Sequence, residues 1–174
     1  MRDVIDKISI LFNKNNVVWA LGGSLVLEHY GIPTKVNDID ILVSKETMHT
    51  ALECLNMFGQ GVKIPKDGFY KSDFLYKYNV DGTSVDLICG FKVLKDYMFI
   101  YDFNEDNITS ISGEIHYTSV EEWLIIYDVL GRESKVELIK DYLNKNGVSN
   151  ELLLYKLVNA NKNTISSGLV KWLK

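Results

Sequence analysis

The hydrophobic positions of the first third of the chain alternate between a helical and a strand period. A first helix is predicted from apolar residues that share one face, namely Val4, Ile5, Ile8, Leu11 and Phe12. Residues 17–21 form a short β-prone run, and a helical period resumes over 25–30 after a glycine turn. A second apolar strand is predicted over 39–43, followed by a helix that Ser44 caps. This order predicts strand, turn, helix and strand after the first helix.

The middle of the chain has the alternation of a β-sheet. Aromatic residues alternate through 69–78, Asp81 and Gly82 provide a turn dipeptide, and residues 83–89 continue as a strand. The aromatic members of this run are Phe69, Tyr70, Phe74, Tyr76 and Tyr78. Such a face is usually core, although some rings could line a pocket. Two further strand segments are predicted over 97–103 and 108–117.

The pattern becomes helical after residue 118. Ser119 and Glu122 have the spacing of a capping box, and two more helices are predicted over 133–144 and 150–159. We therefore expect an α/β fold of the α+β kind, with a small mixed β-sheet core and flanking helices. Residues 1–118 are predicted to form the catalytic core, and residues 119–174 a C-terminal helical part packed on it as one unit.

Composition and charge narrow the function classes. A chain of 174 residues with 47% hydrophobic residues can bury one compact core. Its net charge of -4 argues against a surface that neutralises many phosphates, so a small molecule or a protein is favoured over nucleic acid. Cys54 and Cys89 lie in apolar runs without metal-ligand spacing. With no signal peptide pattern and no run of about 20 apolar residues, a cytoplasmic location is expected.

Two aspartates on the second predicted strand are the first candidates for chemistry. Asp38 and Asp40 flank Ile39, and because strand side chains alternate, both carboxylates point to one face. A divalent cation would relieve their repulsion, although two solvated aspartates at a strand end are common. An EF-hand loop is excluded, because Val43 and His49 stand where that loop needs glycine and glutamate.

Two further features are expected near these aspartates. Gly22, Gly23 and Ser24 leave a strand and open a helix, so their backbone N–H groups can approach phosphate oxygens. The Rossmann and Walker patterns are absent, and a glycine turn alone can be purely structural. Asp86 lies among β-forming residues, where a charge is costly unless it is paired or liganded. Asp86 is therefore the candidate for a third carboxylate beside Asp38 and Asp40.

Taken in this order, these motifs resemble the signature of the DNA polymerase β-like nucleotidyltransferase superfamily. Thirteen residues, 25–37, separate the Gly-Gly-Ser turn from the Asp-x-Asp motif, and a later strand supplies the third aspartate. The specific part of the resemblance covers residues 19–43 and 85–87. The chain is most similar in kind to small bacterial members, including lincosamide and aminoglycoside nucleotidyltransferases and those of toxin-antitoxin pairs.

The resemblance implies transfer of a nucleoside monophosphate from a nucleoside triphosphate, with ATP expected, to a hydroxyl of a small molecule such as an antibiotic. It implies two Mg²⁺ ions bound by Asp38, Asp40 and Asp86, with Asp86 also acting as general base. The triphosphate is expected to be bound by the glycine turn and one loop lysine, namely Gly22, Gly23, Ser24 and Lys35. Lys35 could equally be a solvated loop residue.

Other polar residues carry less information. Arg132 and Lys135 begin a C-terminal helix, where similar proteins can place basic residues facing the nucleotide, whereas in isolation they are typical surface charges. His29, His49 and His116 lack metal-ligand spacing and are expected to be packed or exposed histidines.

Three alternatives remain open. The acceptor could be a partner protein, as in toxin-antitoxin pairs. The chain could be a catalytically silent nucleotide-binding or interaction module, although three mutually repelling carboxylates argue against that. Polymerising activity on DNA or RNA is disfavoured by the acidic charge and the lack of a basic, aromatic groove.

Overall fold

The computed structural model describes all 174 residues. The strands are β1 (Trp19–Leu21), β2 (Ile39–Val43), β3 (Val62–Lys63), β4 (Phe74–Val80), β5 (Thr83–Cys89), β6 (Phe91–Leu94), β7 (Met98–Tyr101), β8 (Ser110–Ser112) and β9 (Ile115–Tyr117). The α-helices are α1 (Arg2–Lys14), α2 (Gly23–His29), α3 (Met48–Asn56), α4 (Val120–Val129), α5 (Glu133–Asn146), α6 (Glu151–Ala160) and α7 (Ser167–Trp172). None of these helices is both long and apolar enough to cross a membrane.

Seven strands form one mixed sheet in the order β3-β4-β5-β2-β1-β9-β8, and β6 pairs with β7 in a separate hairpin. β2 runs parallel to β5 and antiparallel to β1, so it occupies the centre of the sheet with partners on both sides. Strands β4 and β5 form the long hairpin that the sequence predicts. The predicted fold class, a mixed sheet with flanking helices, is confirmed.

The two faces of the sheet are covered by different helices. Ile39, Ile41 and Val43 of β2 join a buried cluster with residues of α1 and α3. Leu42 of β2 faces the other way and joins a cluster built largely by α4, α5 and α6. Because side chains alternate, Asp40 shares the face of Leu42 and therefore points toward the C-terminal helices. The division of the chain after residue 118 stays a prediction.

The N-terminus of α4 has the predicted capping box. The Ser119 hydroxyl accepts a hydrogen bond from the Glu122 N–H at 3.2 Å, and the Glu122 carboxylate accepts one from the Ser119 N–H at 3.1 Å. Both partners are buried, so the cap satisfies groups that water does not reach. This fixes the start of the helix that forms one wall of the site described below.

Some predicted boundaries were wrong. The helix expected directly after Ser44 begins at Met48 with Thr47 at its N-cap, and Ser44 instead accepts a weak 3.4 Å bond from the Thr47 N–H. The aromatic run becomes a strand only from Phe74. Before that point the Asp67 carboxylate accepts hydrogen bonds from the N–H groups of Phe69 and Tyr70 and holds a turn there. Strands β3 and β6 were not predicted. Strand β3 carries little pattern, because it has only two residues and both are exposed.

Candidate functional site

Three carboxylates meet at one point on the sheet. Asp40 on β2 is the register partner of Asp86 on the parallel strand β5, and Asp38 precedes β2 by one residue. One carboxylate oxygen from each residue lies within 4.8 Å of the other two. Carboxylate oxygens are the ligands that hard divalent cations such as Mg²⁺ take in proteins. The chemistry and spacing of this group therefore fit a divalent ion.

The pKa of Asp40 also favours a cation at this position. Burial raises the pKa of this carboxyl to about 7, and the nearby charges of Asp38 and then Asp86 add to the rise. Lys135 and Lys77 oppose it with smaller effects. At neutral pH the cluster is therefore short of positive charge, and a bound cation would relieve both the repulsion and the cost of burial.

Lys77 forms an ion pair with the third carboxylate. It lies on β4 directly opposite Asp86, and its Nζ donates to both Asp86 oxygens at 2.8 and 3.1 Å. This hydrogen bond is the main reason that the pKa of Lys77 is raised. About half of the Lys77 side chain remains exposed, so the pair lies at the open side of the cluster. Sequence reasoning did not single out Lys77, although a lysine among alternating aromatics was a visible signal.

The glycine turn approaches the carboxylates closely. The Gly22 N–H donates to the Asp40 carbonyl at 2.9 Å, and Gly23 has a φ of +62°. A Cβ atom on Gly23 would collide with the Asp40 carboxylate, and one on Gly22 would collide with the Trp123 indole. Both positions therefore require glycine. The first N–H groups of α2 have no carbonyl partner within the helix and are available to an anion beside the cluster.

A cation from the C-terminal helices reaches this turn. The Lys135 Nζ donates to the Ser24 hydroxyl and, at 3.3 Å, to the Tyr127 hydroxyl. Burial, and then the charge of Arg132, lowers the pKa of Lys135. Burial also raises the pKa of Tyr127, which keeps its hydroxyl protonated. Lys135 is therefore part of the site rather than an isolated surface charge.

A cavity of about 390 Å³ lies between the sheet and helices α4 and α5. It contains the three aspartates, Ser24, Lys77, Arg132 and Lys135. Its apolar lining consists of Ile64, Tyr70, Leu75, Ile88, Phe91, Trp123, Tyr127 and Leu130. The volume is in the range of small-molecule sites. One cavity thus holds a candidate metal cluster, Ser24 of the glycine turn and an apolar wall.

Other candidate residues lie elsewhere. Lys35 is exposed and lines a separate cavity beside His29. The His29 ring stacks on Tyr117 at 3.8 Å and bonds the Ser110 hydroxyl at 2.9 Å, as expected for a packed histidine. Of the alternating aromatic residues predicted between positions 69 and 78, Tyr70 lines the site cavity. Neither His49 nor His116 lines it.

Comparison with known proteins identifies the fold. No protein-family model and no curated protein matches the sequence. Among solved structures, a candidate nucleotidyltransferase of Thermotoga maritima is 25% identical with a TM-score of 0.61, over 83% of this chain and 92% of the other. The antibiotic-resistance factor ANT(2'')-Ia in solution is 15% identical, with a TM-score of 0.59 over 91% of each chain.

A second structure of ANT(2'')-Ia, in complex with adenylyl-2''-tobramycin, is 15% identical with a TM-score of 0.56, over 91% of this chain and 94% of the other. These likenesses extend over the sheet and the C-terminal helices together, because they cover most of both chains. The resemblance of the motifs and the likeness of the whole fold agree. The fold of this chain is therefore similar to that of the candidate nucleotidyltransferase of Thermotoga maritima and of the antibiotic-resistance factor ANT(2'')-Ia.

Proposed function

We propose that this protein is a Mg²⁺-dependent nucleotidyltransferase. It transfers a nucleoside monophosphate from a nucleoside triphosphate, with ATP expected, to a hydroxyl group of a small molecule and releases pyrophosphate. The observation that carries the proposal is the meeting of Asp38, Asp40 and Asp86 beside the Gly22–Ser24 turn. The complex of ANT(2'')-Ia with adenylyl-2''-tobramycin favours a small-molecule acceptor over a protein acceptor.

The metal would be held by the three aspartates. Their oxygens lie close enough to share a cation. The pKa of Asp40 is raised by burial and then by the negative charges of Asp38 and Asp86, which a cation would compensate. When bound, Mg²⁺ would stabilise the charge that develops on the attacking and leaving oxygens. No other group of acidic, histidine or cysteine side chains in the chain has this convergence.

The triphosphate would be bound on the side of Asp40 that faces the Gly22–Ser24 turn. The free N–H groups at the start of α2 and the Ser24 hydroxyl provide donors, and Lys135 brings a positive charge to the same hydroxyl. Arg132 lines the same cavity and adds a second cation from the N-cap of α5. Together they would supply two positive charges to the phosphates. Lys35 lies outside this group, so any contact of Lys35 with the nucleotide remains a separate prediction.

In the transfer step the acceptor oxygen forms a bond to the α-phosphorus, and the bond from that phosphorus to the β-phosphate oxygen breaks. Pyrophosphate carries away the electron pair, and Asp86 accepts the acceptor's hydroxyl proton. Lys77 holds Asp86 through a hydrogen bond to each oxygen. It therefore orients the base toward the acceptor.

Label transfer tests this proposal. The wild-type protein is incubated with an α-³²P-labelled triphosphate, Mg²⁺ and a panel of hydroxyl acceptors, beside Asp38→Asn and Asp86→Asn variants. Asp141→Asn, an exposed change on α5, is the matched control. We expect transfer by wild type and the control, and at least about 100-fold less by the two site variants. Equal transfer by all four proteins would exclude the proposal. So would the absence of transfer together with the absence of metal-dependent nucleotide binding.

A further inference from the structure

The charges that line the site cavity limit what the acceptor can be. We propose that the acceptor is a hydroxyl compound with an apolar face and no positive charge, and that Lys77 determines this preference. The inference rests on the proposed nucleotidyl transfer and concerns the second substrate of the same site. It distinguishes this chain from an enzyme built for a polycationic aminoglycoside such as tobramycin.

The first observation is the balance of charged groups in the cavity. Its acidic residues are Asp38, Asp40 and Asp86, and its basic residues are Lys77, Arg132 and Lys135. All three acidic residues belong to the candidate metal cluster. No carboxylate in the lining is left over for an ammonium group. A buried ammonium without a carboxylate partner would lose its hydration without compensation, so a polycation has no place to bind.

The surroundings of the cavity do not supply the missing carboxylate. Asp73 follows Ser72, a residue of the lining, but it is already paired. The Lys92 Nζ lies 2.7 Å from one Asp73 oxygen, with Lys45 at 3.8 Å and Lys66 at 3.7 Å. Three lysines thus lie near this one aspartate, and Lys45 pairs more closely with Asp102, at 2.8 Å. Asp73 is therefore already partnered and is not free to receive an ammonium group of an acceptor.

Lys77 stands at the boundary between the metal cluster and the apolar wall. The pairing of β2 with β5 and of β5 with β4 puts Asp40, Asp86 and Lys77 in one row across the sheet, on the same face. Leu75, two residues before Lys77 on the same face, pairs with Ile88 and begins the apolar wall. An acceptor whose hydroxyl reaches Asp86 therefore lies against Lys77 and this wall.

The apolar wall indicates what the rest of the acceptor is like. Ile64, whose N–H donates to the Leu75 carbonyl at 2.8 Å, lies next to this strand pair, and Tyr70 and Phe91 add two aromatic rings to the lining. Such a surface binds an aliphatic or aromatic face. Next to Lys77, a neutral polar or anionic substituent would be accepted, whereas a cationic one would be repelled.

Three matched probes test the charge preference directly: 4-(hydroxymethyl)benzoate, 4-(hydroxymethyl)benzamide and 4-(aminomethyl)benzyl alcohol. They share a primary hydroxyl and an aromatic face, and they carry a negative, no and a positive charge. Their binding is measured by calorimetry in the presence of Mg²⁺ and α,β-methylene-ATP, which cannot transfer its nucleotide. The proteins are wild type, Lys77→Glu and Lys63→Glu, each checked for folding by circular dichroism.

Lys63→Glu is the matched control because it makes the same charge change on the neighbouring strand. Lys63 pairs with Tyr76, so it faces the opposite side of the sheet from Lys77, and its ammonium lies over the Phe74 ring. We expect wild type to bind the anionic and neutral probes at least about tenfold more tightly than the cationic probe. Lys77→Glu should reverse this order, and Lys63→Glu should leave it unchanged.

Three results would overturn the inference while leaving nucleotidyl transfer intact. Wild type binds the cationic probe as tightly as the other two, wild type binds none of the three probes, or both lysine variants shift the order equally. If Mg²⁺ and α,β-methylene-ATP themselves fail to bind to wild type, the proposed function is wrong, and the acceptor inference that rests on it is wrong as well. Nucleotide binding measured before the probes are added separates these two failures.

Discussion

Asp40 and Asp86 lie directly opposite each other on two parallel strands, although 45 residues separate them in the chain. Side chains alternate along a strand, so this register places both carboxylates on one face, beside Asp38. A slip of one residue would turn Asp86 into the opposite face, among the side chains of α1 and α3. The candidate metal cluster therefore depends on how β2 and β5 pair.

A glycine-to-alanine pair tests the close approach of the turn to Asp40. Gly23 and Gly131 both have positive φ, at +62° and +67°, so an alanine at either position costs about 1–2 kcal/mol of stability in backbone strain. Only at Gly23 would the new Cβ meet another group, the Asp40 carboxylate. We expect Gly23→Ala to lower the free energy of unfolding by at least about 1 kcal/mol more than Gly131→Ala, measured by urea denaturation. Equal losses would show that the turn does not crowd the carboxylate.

Asp40 should make the metal-free protein less stable as the pH rises. Burial raises its pKa from 3.8 to about 7, so the folded protein holds a proton on Asp40 between these values while the unfolded chain has released it. The free energy of unfolding therefore falls as the pH increases from about 4 to about 7, by about 2–4 kcal/mol from this group. Asp40→Asn removes this contribution.

Urea denaturation in the presence of a chelator, repeated across that pH window, checks the Asp40 prediction. The wild-type and Asp40→Asn curves of stability against pH should diverge, with the variant becoming relatively more stable toward neutral pH. Parallel curves would mean that the carboxyl titrates at its ordinary value in the folded protein.

Lys135 should contribute to nucleotide binding through its contact with Ser24. Replacing it by methionine keeps most of the length of the side chain but removes the donor to the Ser24 and Tyr127 hydroxyls. We expect nucleotide affinity to fall by about 10- to 100-fold, in line with the loss of a charged hydrogen bond. Calorimetry with Mg²⁺ and α,β-methylene-ATP measures this. Lys145→Met, an exposed change near the end of the same helix, should have no effect, and similar losses in both variants would contradict the assignment.

Local patterns predicted much of the fold. The β4–β5 hairpin follows from alternation and the Asp81-Gly82 turn, and the start of α4 follows from a capping box whose partners are three residues apart. Short or exposed pieces were missed because they carry little pattern, as at Val62–Lys63. The start of α3 was placed too early because Ser44 and Thr47 are both good capping residues, and sequence alone does not decide between them.

In the candidate site, too, residues within local motifs were predicted and residues that depend on long-range contacts were not. The three aspartates and the glycine turn lie within recognisable local motifs, so they could be selected from sequence. Lys77 was not selected, and Lys135 was named only through the family resemblance, because the contacts of both lysines depend on long-range packing. Lys77 meets Asp86 through strand register, and Lys135 meets Ser24 across 111 positions of the chain. Lysines in either setting are usually surface charges, and only the fold brings these two into the cavity.

Direct ion binding tests whether the three aspartates, Asp38, Asp40 and Asp86, form a divalent-cation site. Mn²⁺, a stand-in for Mg²⁺ that electron paramagnetic resonance can detect, is titrated into wild type, Asp40→Asn, Asp86→Asn and the exposed Asp141→Asn, with α,β-methylene-ATP present. We predict that wild type and Asp141→Asn bind Mn²⁺ alike and that both site variants bind it at least about tenfold more weakly. The same Mn²⁺ affinity in all four proteins would mean that these aspartates do not hold the ion.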